Sequence, residues 1–526
     1  MMEFRDNVES KGTMSEGLLV GGWVVTGIKD RESVNVLRDA AVVHRDGIVV
    51  EVGPSAAMRR KYPLASVEGS AEHAILPGFV NSHHHVGVTP LQLGTPDYPL
   101  ELWLPNRLSE RAVDLYLDTL YSAFEMIASG VTTVQHLFAW MPNGPVEQLH
   151  DICTKILEAY RAIGMRASFS YMARNQNRVV YEPDAEFLKR LPVETAKVLA
   201  GYLATKEAPF EDLLTLFEML REENQAQNLT RIQLAPANLQ WCSDDALLEL
   251  KRRSDRAGVP MHMHLLETPY QKEYARRRTG TTAVKHLEKL GLLGPSMTLG
   301  HGVWLTEEDA EIVAATGTCL CHNCSSNFRL RSGMAPVNTC LSNGITMGMG
   351  MDEAGINDDR DMLQEMRMVL RTNRVPGLRQ DEVPSCPDVL RMATEHGGMT
   401  TAFGAKIGKL ESGRFADAVM VNVTRAFYPY QDDNVPTLDA LLQRAKTDSV
   451  DAVFVNGNKI YENGKFTRVD REKVLAELAE ALSRPRTMAE NQSRDLRRLV
   501  VPHVEAFYRE YLIDAENREP FPVGKR

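Results

Sequence analysis

The chain has 526 residues, 43% hydrophobic and 25% charged, a globular balance that excludes a mostly disordered chain, a collagen-like chain and a coiled-coil rod. With 60 basic against 70 acidic residues, the net charge is −10 and no long basic run occurs, which argues against nucleic-acid and anionic-membrane partners. At about 150 residues per domain the length predicts three to four domains, or one large barrel with additions, and a core that needs no disulfides.

The N-terminal stretch MMEFRDNVESKGTMSEG is charged and lacks an apolar h-region, so it does not read as a signal peptide. No stretch approaches the roughly 18 apolar residues of a membrane span. The 7 cysteines, an odd number, then read as reduced thiols of a cytoplasmic protein. Within residues 1–74, GLLVGGWVVTG and DAAVVHRDGIVVEVG carry β-branched runs broken by Gly and Asp-Gly turns, the texture of strands.

From 75 to 407, short apolar strands alternate with longer amphipathic segments. The strands are AILPGFVN, GVTTVQHLF, MRASFSYM, RIQLAPANL, VPMHMHLL, MTLGHGV, GTCLCH and ITMGMGMD; AVDLYLDTLYSAFEMIASG, TKILEAYRAIG and DALLELKRRSDRAG exemplify the helices. This alternation predicts a (β/α)₈ barrel, with a doubly wound open sheet as the competing arrangement that periodicity alone does not exclude. β texture returns over 408–468, with hairpin turns at Val455–Asn458 and Glu462–Lys465. The two β flanks are each too small to stand alone and suit one shared domain. The tail, 469–526, has apolar positions three and four apart, as in helices packed on the body or on another subunit.

Chemistry-bearing residues gather at strand ends. PGFVNSHHH ends an apolar strand in three histidines, and alternation puts His83 and His85 on one face, a geometry suited to a divalent metal. Trp103, in the loop LGTPDYPLELWLPNR, is placed to stack on a flat ring or to pack. Arg174 and Gln176 follow one strand, Asn238 and Gln240 another; each pair could hydrogen-bond a substrate or serve loop structure. VPMHMHLLET offers His262, His264 and, three residues on, Glu267, a carboxyl for proton transfer if the chain turns after His264. His301 ends the next strand in LGHGVWLTEEDA. Cys319, Cys321, His322 and Cys324 form a dense run that reads as structural or pocket-lining; His322 and Cys324 are the pocket candidates, and a second metal or redox site is the alternative. Asp352 follows a Gly-punctuated strand; the helix N-cap role there falls better to Asp358 or Asp359.

In a closed barrel the strand ends holding His83, His85, His264, His301 and Asp352 meet at one face. Three neutral imidazoles and one carboxylate would leave Zn²⁺, or Fe²⁺ as the alternative, a net charge near +1 and room for water. No phosphate loop, dinucleotide fingerprint or nucleophile elbow occurs. H-x-E occurs at His286 to Glu288 and at His503 to Glu505, but the cytidine-deaminase pattern needs Pro before its C-x-x-C, and Leu320 stands before Cys321.

These segments, with HNCSSNFRLRSGMAPV, GMDEAGINDDRDMLQEMR and IGKLESGRFADAVMVN, resemble the amidohydrolase superfamily, nearest its mononuclear branch of aminoheterocycle deaminases and triazine chlorohydrolases. The resemblance spans roughly residues 18 to 466. It implies a distorted TIM barrel with a β-sandwich built from both termini. It also implies His83, His85, His264 and Asp352 as metal ligands, Glu267 as proton shuttle and His301 as assistant to the attacking water. RASFSYMARNQNR offers no lysine for the bridge of a binuclear site, in keeping with one metal. Cys324 stands where the family usually has Pro, and Arg331 where a small residue is common. The reaction expected is hydrolytic deamination of an amino-substituted N-heterocycle, a small-molecule substrate. Loss of chloride or sulfide from a heterocycle, or cleavage of a urea or cyclic amide, uses the same site. A non-catalytic scaffold and a thiol-based metal sensor are the readings from other classes. Family habit and the helical tail favour a homodimer or larger.

Overall fold

A computed structural model describes residues 16–139, 141–206 and 208–512. All but two residues of the N-terminal stretch MMEFRDNVESKGTMSEG, and the end of the helical tail, lie outside the described residues. The chain opens with β1 (Glu16–Ile28), β2 (Val34–Arg45), β3 (Ile48–Pro54) and β4 (Ser66–Pro77). β1 pairs antiparallel with β2 and parallel with β4. Asp46 and Gly47, both at positive φ, turn β2 into β3, as a tight hairpin of matching twist requires.

Gly78 separates β4 from β5 (Phe79–His84). The predicted strand AILPGFVN is therefore two strands: Ala74–Pro77 pairs within the terminal sheet, and only Phe79 onward enters the barrel. Then come β6 (Val131–Phe138), β7 (Arg166–Ala173), β8 (Thr230–Ile232), β9 (Ala235–Pro236), β10 (Met261–Leu265), β11 (Met297–His301), β12 (Cys319–His322) and β13 (Met347–Met349). RIQLAPANL is likewise broken, into β8 and β9, both of which pair with β7. All these ladders are parallel, in two runs, β5-β6-β7-β8 and β10-β11-β12-β13. Two isolated parallel bridges, Leu234 with Met261 and His84 with Asp352, close the runs on each other. The ring is a TIM-barrel-like α/β fold, not an open doubly wound sheet.

Helices follow the strands and bury their apolar stripes on them. Leu115–Ala128 is N-capped by the Asp114 side chain, and Val146–Ile163 stops at left-handed Gly164. Two short helices, Asp184–Lys189 and Val193–Leu203, are extra elements after β7. Met362–Thr372 is capped by Asp361, whose side chain accepts from Gln364 N, so the expected cap at Asp358 or Asp359 is corrected. Asp358 instead accepts from Thr89 and Arg329.

The last strands are β14 (Ala418–Asn422), β15 (Val450–Val455), β16 (Asn458–Glu462) and β17 (Lys465–Phe466). They join the first flank in one eight-stranded sheet, ordered β17-β16-β15-β14-β4-β1-β2-β3. Alternation sends Val25, Leu76 and Val419 toward the barrel core and Val24, Ile75 and Ala418 into a separate cluster on the other face. The tail forms helices Arg471–Ser483 and Met488–Arg509, both packed on the body of their own chain.

Candidate active site

The strand ends bring their side chains together. His83, at the end of β5, has its Nε2 3.0 Å from that of His85 and 3.1 Å from that of His264. The last two lie 3.2 Å apart. His84, between the ligand candidates, faces the other way and reaches Ser122 on the surrounding helix. Three Nε2 atoms this close cannot all be satisfied by one another; their convergence is a donor set that could hold a metal ion. Their other nitrogens fix that tautomer. Nδ1 of His85 donates to Leu137 O at 2.6 Å, and Nδ1 of His264 to Ala237 O at 3.0 Å. Nδ1 of His83 lies 2.9 Å from Nε2 of His262. The carbonyl bonds place a proton on Nδ1 of His85 and of His264, which leaves each Nε2 free to act as a donor atom toward an ion. Burial, then the charges of neighbouring imidazoles, holds His83 and His264 well below the usual imidazole range, so they are neutral donors for a cation.

Asp352 supplies the carboxylate. Its Oδ1 is 3.2 Å from His85 Nε2 and 3.8 Å from His83 Nε2. Burial works against its charge, but hydrogen bonding with His85, the charges of His85 and His301, and a 2.7 Å bond from Ser326 Oγ hold its carboxyl well below the usual range. Asp352 is at positive φ and its N–H bonds to His83 O, so strained backbone beside β13 aims the side chain inward. His301, also at positive φ, is set by Asn327, whose Oδ1 is 3.0 Å from Nδ1. Its Nε2 stands 3.7 Å from Asp352 Oδ2 and 3.9 Å from Glu267 Oε2.

Glu267 reaches this point because β10 ends at Leu265 and Leu266 turns at φ 51°. The turn that sequence spacing demands is thus present. Gln271 accepts from Glu267 N at 2.9 Å and from Asn238 Nδ2 at 3.1 Å, so Asn238 holds the residue that holds Glu267. Burial, then the charges of Asp352 and Glu101, pushes the Glu267 carboxyl well above its ordinary range.

The remaining candidates are spread more widely. Trp103 is buried in helix Leu100–Asn106 with the Arg107 guanidinium over its ring, and it shares a small recess with Ser326 and Glu353. Arg174 lines a larger cavity beyond β7. Gln176 is spent on loop structure, donating to the carbonyls of Gln240 and Cys242. Gln240 is buried with its Nε2 unpartnered among the described residues. His322 is buried with neither ring nitrogen partnered among the described residues. Cys324, the first residue of helix Cys324–Arg329, approaches Thr372; proline's fixed φ suits that same position. Arg331 sits at φ 55°, where a residue without a side chain is least strained.

The cysteine run does not gather into its own centre. Among the described residues, only Cys321 comes within ligating range of other donors, and these are His83 and His262. Sequence reasoning left three roles unassigned: Ser326 on Asp352, Asn327 on His301, and Glu101, which accepts from Thr268 beside Glu267. The first two lie in HNCSSN; the signal for the third is one carboxylate in the apolar run LELWL.

The amidohydrolase family model matches residues 74–460. The chain belongs to the amidohydrolase family. A curated relative of this amidohydrolase is the 5-methylthioadenosine/S-adenosylhomocysteine deaminase of Pyrococcus furiosus, 30% identical over 82% of this chain and 93% of its own. Among solved structures it resembles an adenosine deaminase from Xanthomonas campestris with bound zinc (TM-score 0.72, 22% identity, 91% of this chain and 98% of that one). It also resembles a zinc-complexed atrazine chlorohydrolase of Arthrobacter aurescens TC1 (TM-score 0.74, 21% identity, 88% and 99%). The amidohydrolase is a hydrolase of non-peptide C–N bonds with a divalent-metal site at its converging histidines. Among its described residues no helix is long and apolar enough to cross a membrane.

Proposed function

We propose that the protein is a zinc-dependent deaminase of an amino-substituted N-heterocycle, with Fe²⁺ as the alternative metal. His83, His85, His264 and Asp352 are the ligands of a single ion, and Glu267 and His301 work beside it. The carrying observation is geometric: His83, His85 and His264 converge beside Asp352, and Glu267 and Asp352 face His301 Nε2 from 3.9 and 3.7 Å, the first carboxyl pushed up by burial and the second held down. Such a split separates an acid from a base within one pocket.

Bound there, a divalent ion would acidify a water and orient it toward an electron-poor sp² carbon. Asp352, ionised, takes the water's proton, and neutral His301, fixed through Asn327, orients the same proton. Glu267 gives its proton to the ring nitrogen as the C–O bond forms. The proton held by Asp352 then passes to the amine as the C–N bond breaks and ammonia departs, and the product ring returns Glu267's proton. Gln271 and Asn238 keep Glu267 in reach. Trp103, Arg174, Gln240, His322 and Cys324 are the substrate-side residues we assign; Gln176, tied to the loop carbonyls of Gln240 and Cys242, is left out. The deaminase names of the relatives support the C–N choice. We further propose a barrel at 75–407, a small β-sandwich from 1–74 with 408–468, a helical extension at 469–526, a cytoplasmic location and a homodimer or larger.

The test is product mass across aminopurine nucleosides, free aminoheterocycles, cyclic ureas, thioxo-heterocycles and chlorotriazines. Replacement of an amino group by oxygen, with ammonia released, is the expected result. Ring opening, or loss of chloride or sulfide, overturns the choice of leaving group while keeping the site.

A further inference from the structure

A cavity of about 580 Å³, a size that suits a drug-sized ligand, is lined by Glu101, which hydrogen-bonds the neighbour of Glu267. Its floor is set by Ala139, Arg174 and Trp241, which stand just beyond β6, β7 and β9. Glu101 connects it to the chemistry: Glu101 Oε1 accepts from Thr268, the neighbour of Glu267, and from Tyr181 at 3.0 Å. The other oxygen, Oε2, is buried and has no partner among the described residues. A buried carboxyl with one oxygen idle carries a desolvation cost that a donor on a ligand would offset.

The far wall comes from an unexpected part of the chain. Ser493, Val500 and Tyr508 of helix Met488–Arg509 line the cavity. This helix lies wholly beyond the residues that match the family, which end at 460. It is fastened to the segment that follows Trp103: Arg497 Nε donates to Asn106 Oδ1 at 2.8 Å, Arg486 Nη1 to Ser109 O at 2.9 Å, and Ala112 N to Glu490 Oε1 at 3.1 Å. The tail therefore shapes the cavity twice, as a wall and as the brace of the opposite loop. Most of the lining, such as Leu104, Leu199 and Trp241, is apolar.

We propose that this cavity receives the part of the substrate outside the reacting ring, a largely apolar substituent with a hydroxyl or amine donor for Glu101, and that the C-terminal helix selects for it. The inference rests on the deaminase reading above. A ring without a substituent would leave this cavity unfilled. A substituted ring would gain contacts that the family-matched part of the chain alone does not build.

The test is Ser493→Trp in the full-length, metal-loaded enzyme, assayed on an aminopurine free base and on its nucleoside with an apolar 5′ substituent. The ratio of kcat/KM, nucleoside over free base, is expected to fall at least about tenfold, carried by KM, with metal content unchanged. Ser493→Leu, a smaller intrusion, should move the ratio the same way and covers a tryptophan variant that does not fold. A ratio unmoved by the leucine variant in a folded, metal-loaded protein overturns the proposal, as does a parallel loss on both substrates. Release of ammonia from neither substrate by the wild type, but from another aminoheterocycle, overturns the proposal and leaves the deaminase reading; release from none overturns both.

Discussion

Glu267 and Asp352 show how far one site can separate two like groups. Both are buried and both face His301 Nε2, at 3.9 and 3.7 Å, yet burial prevails at the first, while at the second it is outweighed by hydrogen bonds and the charges of His85 and His301 together. Glu267→Gln keeps shape and packing but removes the proton to be given. It should lower kcat by about 10²–10⁴-fold with metal content retained, measured by ammonia release and metal analysis. A second buried acid, Glu365, predicts a pH effect on stability. Its carboxyl is pushed up to about 7 by burial, against bonds from Ser325 N at 3.0 Å and from Ser325 Oγ. Because the folded value lies above the ordinary 4.5, folding favours the protonated form. That contribution is complete below about 4.5 and is lost as pH rises through about 7, up to about 3 kcal/mol. Thermal unfolding of Glu365→Gln should therefore depend less on pH than the wild type between about pH 5 and pH 8. At this scale the meeting of His83 and His85 was legible, because alternation along a strand forces both to one face. Ser326 and Glu101 were not, because their partners lie 26 and 167 positions away in the chain.

Elements were legible where one periodicity ruled and illegible where two structures share a run. AILPGFVN reads as one apolar strand, but Gly78 lets the first half stay in the terminal sheet while the second enters the barrel. The helix start was missed by two or three residues because five acidic residues crowd 352–361 and only Asp361 meets the exposed N–H groups. Asp361→Ala should cost about 0.5–2 kcal/mol in urea unfolding. A sharper consequence attaches to Gly350, just after β13. A Cβ there would lie 2.5 Å from His83 Cβ and press on Asn323 Oδ1 as well. Gly350→Ala should displace His83 and weaken metal binding by about 10–100-fold, read by chelator competition.

Over the whole molecule, barrel and terminal sheet are locked by one buried pair. Arg166, at the start of β7, is fully enclosed and grips Asp417 with Nε and Nη2 at 2.8 and 2.9 Å, its guanidinium resting on Phe415. Removing Asp417 leaves the enclosed Arg166 with Asn228 O and Asn456 Oδ1 as partners but no counter-charge. Asp417→Ala should cost about 3–5 kcal/mol in equilibrium unfolding, far more than a surface pair. The overall plan was legible as eight strand-helix units, but the tail's position over the strand ends was not, because helical periodicity gives a face and never its destination. The barrel itself has a weak seam. Its two strand runs meet through single bridges, and at one of them, His84 with Asp352, the first strand touches the last. His83 and His85 lie on one run, His264 and Asp352 with the other. An ion bound by all four is then a rivet across the join, and its binding energy doubles as closure energy. Stripping it should let amide hydrogens at 79–85 and 347–352 exchange sooner than those of the ladders on either side.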